Sequence, residues 1–197
     1  MYFSYLIGFS QGIFMVPFFY DLNKDMEATI LWLNGPSRQD LLTAFPLQEK
    51  EVGCNFIRRD RAVGHVVCFD QGTVKENNKN IEEGVKYYTR PTYQNPPWNM
   101  ITQWKTVDPQ NSGMMALLLA TQLSKDPIYI LGLDWGISTK SVYEYPGGSS
   151  ERKYTPGCKR QLKILSQTHK ITAVNDDVPD IDIPLIGKKA FLEMFNK

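Results

Sequence analysis

Four consecutive residues, Asn34-Gly35-Pro36-Ser37, directly follow the apolar run ATILWL and have the types that suit a phosphate or a ribose. Gly35 would let the backbone approach a ligand closely, and Pro36 has no N–H group to satisfy. Asn34 and Ser37 would supply polar side chains. The tetrapeptide therefore indicates a phosphate or ribose cradle, with a plain turn followed by a helix N-cap as the alternative.

Single polar residues end three further apolar runs: Asn55 follows VGC, Asp70 follows AVGHVVCF, and Asp134 follows IYILGL. Each of them alone is typical of a turn. If the runs are parallel strands of one sheet, these residues share its carboxyl edge, where open α/β sheets bind their ligands. The shared edge makes all three candidates for ligand binding, and Asp134 also a candidate catalytic residue.

The tripeptide Asn111-Ser112-Gly113 opens the clearest helix of the sequence, MMALLLATQLS. A helix N-terminus offers free N–H groups and the positive end of the helix dipole to an anion. Gly113 is costly in a helix but would leave room for a bound group. Ser112 and Gly113 are therefore predicted to meet an anionic ligand, and the alternative is an N-cap followed by a glycine that packs against the sheet.

A scaffold for these residues is predicted by the rest of the pattern. Strand-like runs alternate with helical runs, and the strands are apolar enough to be covered on both faces. The predicted fold is α/β, with a single doubly wound, mostly parallel, Rossmann-like sheet that has helices on both faces. We expect strands at 28–33, 52–55, 62–69, 85–89, 128–133 and 171–174, and helices at 38–45, 114–124, 158–168 and 187–195.

Long connections are expected between some of these elements. Residues 90–108, rich in proline, indicate an irregular connection, and residues 77–83 indicate a loop or a short surface helix. Residues 135–157 are rich in Gly, Ser, Tyr and Pro and are predicted to form a lid loop. Loops of this length in compact domains usually serve function or are mobile.

Neither histidine is placed to act as a general base at the carboxyl edge. His65 lies near the start of its predicted strand, and His169 lies just before the strand at 171–174. Both are therefore expected at or near the opposite edge of the sheet. The pattern G-x-G-x-x-G is absent, which disfavours a dinucleotide enzyme that transfers hydride.

Composition excludes several classes of protein. A chain of 197 residues with 42% hydrophobic residues can bury a core, so a disordered or disulfide-stapled chain is excluded. A net charge of +1 disfavours nucleic-acid binding. Cys54, Cys68 and Cys158 form no CxxC pair, and their odd, sparse count favours a reducing, cytoplasmic location over a disulfide framework. With two histidines there is little material for a zinc site, and no metal site is expected.

Residues 1–25 form a separate segment whose first twenty residues carry no charged side chain. Glycine, serine and proline interrupt this run, no Lys or Arg precedes it, and no signal-peptide cleavage pattern follows, so membrane association is disfavoured. We expect an irregular hydrophobic arm that packs on the domain or on another subunit of a homo-oligomer. A leader before a natural start at Met26 is the alternative.

The blocks ILWLNGPS, GCN, NSGMMALLLATQL and IYILGLD, taken in order, resemble the bacterial sialyltransferases of glycosyltransferase family 42. The pattern of that family is a strand ending in GNGPS, a strand ending in CN, a Ser-Gly helix start and a strand ending in GID. The stretch RQLKILSQTHKITAV is similar to the final helix–strand unit of the family. The resemblance covers Ala28 to Val174. The same start is also similar to a family that includes archaeal pterin pyrophosphokinases.

The resemblance implies a CMP-sugar donor, direct displacement without a metal, and no cofactor. The nucleotide-binding residues that it implies are Asn34, Gly35, Pro36, Ser37, Asn55, Asp70, Ser112 and Gly113. Asp134 would lie beside the nucleotide, and Tyr143 or Tyr145 of the lid would stabilise the leaving phosphate, which makes Asp134 and Tyr143 the candidate catalytic residues. The lid histidine that serves the family as a base is absent from ERKYTPGCK, which leaves Asp134, Asp70 or a tyrosine as candidate bases.

Residues 26–197 are therefore predicted to form a nucleotide-sugar-dependent, sialyltransferase-like glycosyltransferase domain. Its partners would be a nucleotide-sugar donor and a glycan or small-molecule acceptor. One alternative is an Mg²⁺-dependent diphosphotransferase resembling the pterin pyrophosphokinases, with Asp70 and Asp134 at the metal. The other is a catalytically degenerate protein that binds a nucleotide without turnover.

Overall fold

Eight parallel strands form the central sheet of the computed structural model, and helices cover both of its faces, which confirms the predicted α/β, Rossmann-like class. The structure describes residues 4–9, 12–17, 27–48, 50–90, 97–100, 111–143 and 155–195. Within these ranges, none of the helices has both the length and the apolar character needed to cross a membrane.

Two strands near the N-terminus, β1 (Ser4–Phe9) and β2 (Gly12–Pro17), pair with each other in antiparallel orientation. Phe9 lies opposite Gly12, and Ser4 lies opposite Pro17. The expectation of an irregular arm is corrected here, because backbone pairing between two neighbouring apolar segments satisfies their N–H and C=O groups.

The strands of the central sheet are short and are listed here with the helices. The strands are β3 (Thr29–Trp32), β4 (Glu51–Cys54), β5 (His65–Val67), β6 (Lys86–Thr89), β7 (Trp98–Met100), β8 (Ile128–Leu131), β9 (Ile171–Val174) and β10 (Leu185–Ile186). The helices are α1 (Gln39–Ala44), α2 (Gln71–Asn77), α3 (Ser112–Leu123), α4 (Pro156–Ser166) and α5 (Lys188–Phe195). Short 3-10 helices occupy Pro36–Arg38, Ile57–Arg59 and Asn78–Asn80.

The strand order β10-β9-β8-β3-β4-β5-β6-β7 places the first strand of the sheet, β3, beside β8. Read from the other side, the six strands β5-β4-β3-β8-β9-β10 correspond to the 3-2-1-4-5-6 order of doubly wound dinucleotide-binding sheets. Strands β6 and β7 extend the sheet beyond β5. The direction of winding reverses between β3 and β8. Such a reversal point is where the carboxyl edge of an open sheet forms its crevice.

Side chains alternate between two cores along each strand. Leu31 faces the core covered by α3 and α4, whereas Trp32 faces the core that includes residues of α1 and α5. Helix α3 is buried from Met114 to Thr121, which explains why its sequence is apolar nearly all round. Each fully buried Leu or Met stabilises the fold by about 1.5–3 kcal/mol. The buried side chains therefore hold α3 firmly against the sheet, and the N-terminus of the helix is held in place with it.

A buried ion pair joins the start of β4 to the segment before β5. The Arg61 guanidinium donates to both carboxylate oxygens of Glu51, at 2.6 and 2.7 Å, and the indole N–H of Trp32 donates to Glu51 Oε2 at 2.8 Å. The remaining Arg61 N–H groups donate to carbonyls of residues 42, 45 and 46. The pair is thus desolvated but satisfied by hydrogen bonds.

Three elements differ from the sequence prediction. Strand β7 lies within 90–108, which were expected to be irregular; it pairs with β6 at one side of the sheet, where neighbouring prolines are tolerated. Helix α2 was missed because only Thr73 and Val74 of its seven residues are buried, which leaves little periodic signal. Strand β10 was missed because it has two residues. Residues 91–96 and 101–108, and residues 144–154 of the expected lid, lie outside the described residues.

Candidate functional site

The carboxyl ends of β3, β4, β5 and β8 lie side by side, so Asn34, Asn55, Asp70 and Asp134 follow neighbouring strands at one edge. The Cys54 thiol donates a hydrogen bond to Asn34 Oδ1 at 3.3 Å, and this contact ties the end of β4 to the end of β3. The side chains of Asn34 and Asn55 are buried at this edge, whereas Asp70 is exposed. Parallel pairing therefore brings together residues that are distant in sequence.

The start of α3 is fixed against the same edge. Asn111 caps the helix, since its Oδ1 accepts a hydrogen bond from Met114 N at 2.9 Å. Ser112 Oγ accepts a hydrogen bond from Phe69 N, two residues after β5, at 3.0 Å. A Cβ atom on Gly113 would lie 3.1 Å from Leu33 Cδ2, which means that the glycine packs closely on the end of β3. The start of α3 thus lies at the carboxyl edge, and the alternative prediction for Gly113, packing against the sheet, describes its contacts.

The space beside Gly35 is filled by protein. A Cβ atom at this position would lie 2.3 Å from both Asp134 Oδ2 and the Gly132 carbonyl oxygen. Gly35 N donates to that same carbonyl at 3.0 Å, and Gly132 has a φ of +78°, which favours glycine. Gly35 is therefore needed for the close contact of two loops, and exposed Pro36 starts the 3-10 helix after it.

The Asp134 carboxylate is buried and bonded to protein groups. Its Oδ2 accepts from Ser37 N at 3.1 Å, and its Oδ1 accepts from the Ser37 hydroxyl and from Asn175 Nδ2, the latter at 3.1 Å. Only 1% of the residue is exposed. These contacts favour the turn-stabilising role of Asp134 and Ser37 over direct contact with a substrate.

Tyr143 is buried in a cluster with Arg38 and Asp60. The Tyr143 hydroxyl donates to Asp60 Oδ2 at 2.6 Å and accepts from the Arg38 guanidinium. Arg38 also donates to Asp60 at 2.8 Å and to the Leu33 carbonyl at 2.6 Å. Burial raises the pKa of Tyr143 above its usual range, so its hydroxyl keeps its proton at an alkaline pH where an exposed tyrosine ionises. Tyr145 lies outside the described residues.

Arg38 and Asp60 were not identified from the sequence. Arg38 is 0% exposed although arginine is seldom buried, and no local pattern distinguishes it from a surface residue. Its position directly after Ser37 is the one available signal, because residues that follow the first strand of such a sheet lie near the crevice.

Asn55 adopts a left-handed backbone conformation with a φ of +57°. Its N–H donates to the Val67 carbonyl at 2.9 Å, and its own carbonyl accepts from Asn77 Nδ2 at 3.3 Å. Asparagine tolerates this conformation better than most residues with a side chain. The left-handed turn redirects the chain at the end of β4 and begins the segment Ile57–Arg59.

Asp70 and Asp134 do not form an open pair of carboxylates. Asp134 is occupied by Ser37 and Asn175, whereas Asp70 is exposed at the start of α2. Magnesium-bound phosphates require carboxylate oxygens that are free to take the ion. These two residues therefore do not fit the site expected for a diphosphotransferase. Among the described residues, no group of three or more His, Cys, Asp or Glu side chains is arranged to hold a metal ion.

Both histidines lie at the edge of the sheet where the sequence predicts them. His65 is the first residue of β5 and His169 precedes β9, so both are at the amino edge. Burial lowers the pKa of His65, whose Nδ1 lies 3.1 Å from the Tyr88 hydroxyl. The three cysteines, Cys54, Cys68 and Cys158, are buried thiols. Burial raises the pKa of Cys68, which keeps that thiol protonated.

Comparison of the chain with protein-family models, with curated proteins and with solved structures gave no match.

Proposed function

We propose that this chain is a nucleotide-sugar-dependent, sialyltransferase-like glycosyltransferase that holds its donor at the carboxyl edge of β3, β4 and β5. The observation that carries the proposal is the hydrogen bond from Phe69 N to Ser112 Oγ. It holds the start of the twelve-residue helix α3 beside the end of β5, at the carboxyl edge of a doubly wound sheet whose winding reverses between β3 and β8. Nucleotides bind at this place in such sheets.

The donor phosphate would lie at the first turn of α3. The backbone N–H groups of Ser112 and Gly113 and the positive end of the helix dipole would attract the anion, and burial of α3 holds them in a fixed orientation. Asn34 and Asn55 lie at the ends of the adjacent strands and would direct amide groups toward the nucleotide. Pre-oriented donors of this kind stabilise a leaving phosphate without reorganising during the reaction.

The reaction would be a direct displacement at the anomeric carbon. The acceptor oxygen forms a bond to that carbon as the bond between the carbon and the phosphate oxygen of CMP breaks, and the electron pair leaves with CMP. The proton of the acceptor hydroxyl goes to a base. Of the candidates Asp134, Asp70 and Tyr143, Asp70 is the exposed one, since Asp134 and Tyr143 are held by protein groups. We assign Asp70 as the proton acceptor of this proposal.

A Ser112→Ala variant tests the donor site. Loss of the Ser112 hydroxyl leaves Phe69 N–H without this acceptor and frees the start of α3, so CMP affinity should fall about tenfold. The matched control is Ser166→Ala, which removes an exposed hydroxyl near the end of α4 and should leave CMP affinity unchanged. Titration calorimetry with CMP measures both. Equal affinities in the two variants would contradict the proposed site.

Turnover tests the enzyme claim itself. The protein is incubated with CMP-sialic acid and with UDP-, GDP- and other CMP-sugars, and release of the nucleotide is followed with and without acceptor sugars. Release that Asp70→Asn reduces by about 10²–10⁴-fold supports the proposal. No release across the panel would defeat it.

A nucleotide-binding protein without turnover is the second candidate, and the contacts of Asp134 and Tyr143 favour it. Both residues, implied as catalytic by the family resemblance, are buried in hydrogen bonds within the protein. This candidate predicts that CMP raises the melting temperature while no CMP is released from any donor. Insensitivity of that shift to EDTA would separate both candidates from a magnesium-dependent diphosphotransferase.

A further inference from the structure

A pocket of about 230 Å³ begins one residue after Asn55, between residues 56–59 and residues 76–82. It adjoins the proposed donor site, because Asn77 in its wall donates a hydrogen bond to the Asn55 carbonyl at 3.3 Å. Its volume is below the range of about 300–1,000 Å³ that is usual for drug-sized ligands. The pocket is therefore suited to a ligand the size of a single sugar ring.

A stacked guanidinium forms one side of this pocket. The Arg59 Cζ atom lies 4.2 Å from the centroid of the Phe56 ring. Phe56 is itself buried, and its ring meets the Tyr143 ring edge to face at a centroid distance of 5.7 Å. A guanidinium that is stacked on a fixed ring keeps its N–H groups oriented for a planar, bidentate partner such as a carboxylate.

Arg59 lies close enough to Glu76 to lower the pKa of that carboxyl, after the larger effect of Lys79, but it forms no ion pair with it. Arg58 is paired with Glu82, to whose Oε1 it donates at 2.9 Å. Glu76 accepts from the ammonium of Lys79 at 2.6 Å. Within the part of the chain that the structure describes, no carboxylate is hydrogen-bonded to Arg59, whose side chain is exposed. An anionic group would complete this arrangement.

We propose that this pocket binds the carboxylate of an acidic monosaccharide and serves as the acceptor subsite of the transferase. Arg59 would hold the carboxylate by two parallel hydrogen bonds, and the side-chain amide of Asn80, in the same wall, would bind ring hydroxyls. The assignment as an acceptor subsite rests on the proposed function, whereas binding of the acidic sugar itself does not. Neutral sugars lack the carboxylate and would bind more weakly.

Binding is tested with D-glucuronate as the probe and with D-glucose and inorganic phosphate as comparators. Chemical-shift changes in ¹H–¹⁵N spectra of the full chain report which residues each probe affects. We expect glucuronate to shift the signals of residues 56–59 and 76–82 and to bind about tenfold more tightly than glucose. Equal binding of glucose, or tighter binding of phosphate, would overturn the proposal.

The variant Arg59→Gln should lower glucuronate affinity about tenfold or more. Arg59→Lys should bind glucuronate more tightly than Arg59→Gln but less tightly than the unaltered chain, because lysine keeps the positive charge and lacks the planar guanidinium that forms two parallel hydrogen bonds. The matched control is Arg160→Gln, an exposed arginine of α4, which should bind glucuronate as the unaltered chain does. CMP affinity should be the same in all three variants. If the unaltered chain does not bind CMP, the proposed function is refuted and the glucuronate site is not. If Arg59→Gln binds glucuronate as tightly as the unaltered chain does, the subsite is refuted and the proposed function is not.

Discussion

Ser37 and Asp134, which are 97 residues apart in the chain, hold the loops after β3 and β8 together at the carboxyl edge. The Ser37 N–H donates to Oδ2 of the carboxylate at 3.1 Å and the Ser37 hydroxyl donates to Oδ1. The pair joins the two strands between which the winding of the sheet reverses. The Asp134 carboxylate therefore links the two loops, and we expect its replacement to lower the stability of the fold.

Replacing Asp134 with alanine should lower the free energy of unfolding by about 2–4 kcal/mol, because two Ser37 donors and the Asn175 amide lose their buried acceptor. Urea denaturation followed by circular dichroism measures the change. The control Asp182→Ala removes an exposed carboxylate and should change stability by less than about 0.5 kcal/mol. A shared urea midpoint for the two variants would show that Asp134 does not hold the loops.

Alanine at Gly35 should destabilise the fold by about 1–3 kcal/mol, because its Cβ would lie 2.3 Å from the Asp134 carboxylate and the Gly132 carbonyl. The matched change Gly72→Ala places a Cβ in open space on α2 and should stabilise by about 0.4–1 kcal/mol. Thermal unfolding of the two variants gives the comparison. Opposite shifts in melting temperature are expected, and equal shifts would count against the close contact at Gly35.

Tyr143 should make the protein less stable at alkaline pH. Burial raises the pKa of Tyr143 above its usual value of 10.0, so the folded chain keeps the phenol proton where the unfolded chain loses it. The stability that this group contributes is present below pH 10.0 and falls as the pH rises further.

The variant Tyr143→Phe isolates this effect. Tyr87, Tyr88 and Cys68, whose pKa values are also raised by burial, titrate in both proteins and cancel in the comparison. Urea denaturation between about pH 9 and about pH 11 should show a shallower loss of stability in Tyr143→Phe. Parallel pH profiles would mean that the Tyr143 hydroxyl is not held in its proton-bearing form.

Removing Arg61 should cost about 3–5 kcal/mol, since Arg61→Ala leaves the Glu51 carboxylate buried without its cation. The exposed Arg160→Ala serves as the control and should change the unfolding free energy by less than about 0.5 kcal/mol. Differential scanning calorimetry measures both. An Arg61→Ala protein as stable as the control would contradict a desolvated pair at this position.

Particular elements show how much of the fold could be predicted from the sequence. Strand β9 has the predicted bounds, and α3 begins within the predicted opening tripeptide Asn111-Ser112-Gly113, because an apolar run and a capping side chain act over a few residues. The amino-edge positions of His65 and His169 follow from the same local patterns. Strand β10 and helix α2 were missed because a strand of two residues and a helix with two buried residues carry little periodic signal.

The candidate site divides in the same way. From the sequence alone, apolar runs and the polar residues that end them determined an α/β sheet and the edge at which Asn34, Asn55, Asp70 and Ser112 lie. Only the tertiary structure decided that Asp134 bonds to Ser37, and that Tyr143 contacts Arg38 across 105 residues. The physical reason is range: the periodicity of strands and helices is set by adjacent residues, whereas the partner of a buried polar group is set by which distant loops the sheet brings within hydrogen-bond distance.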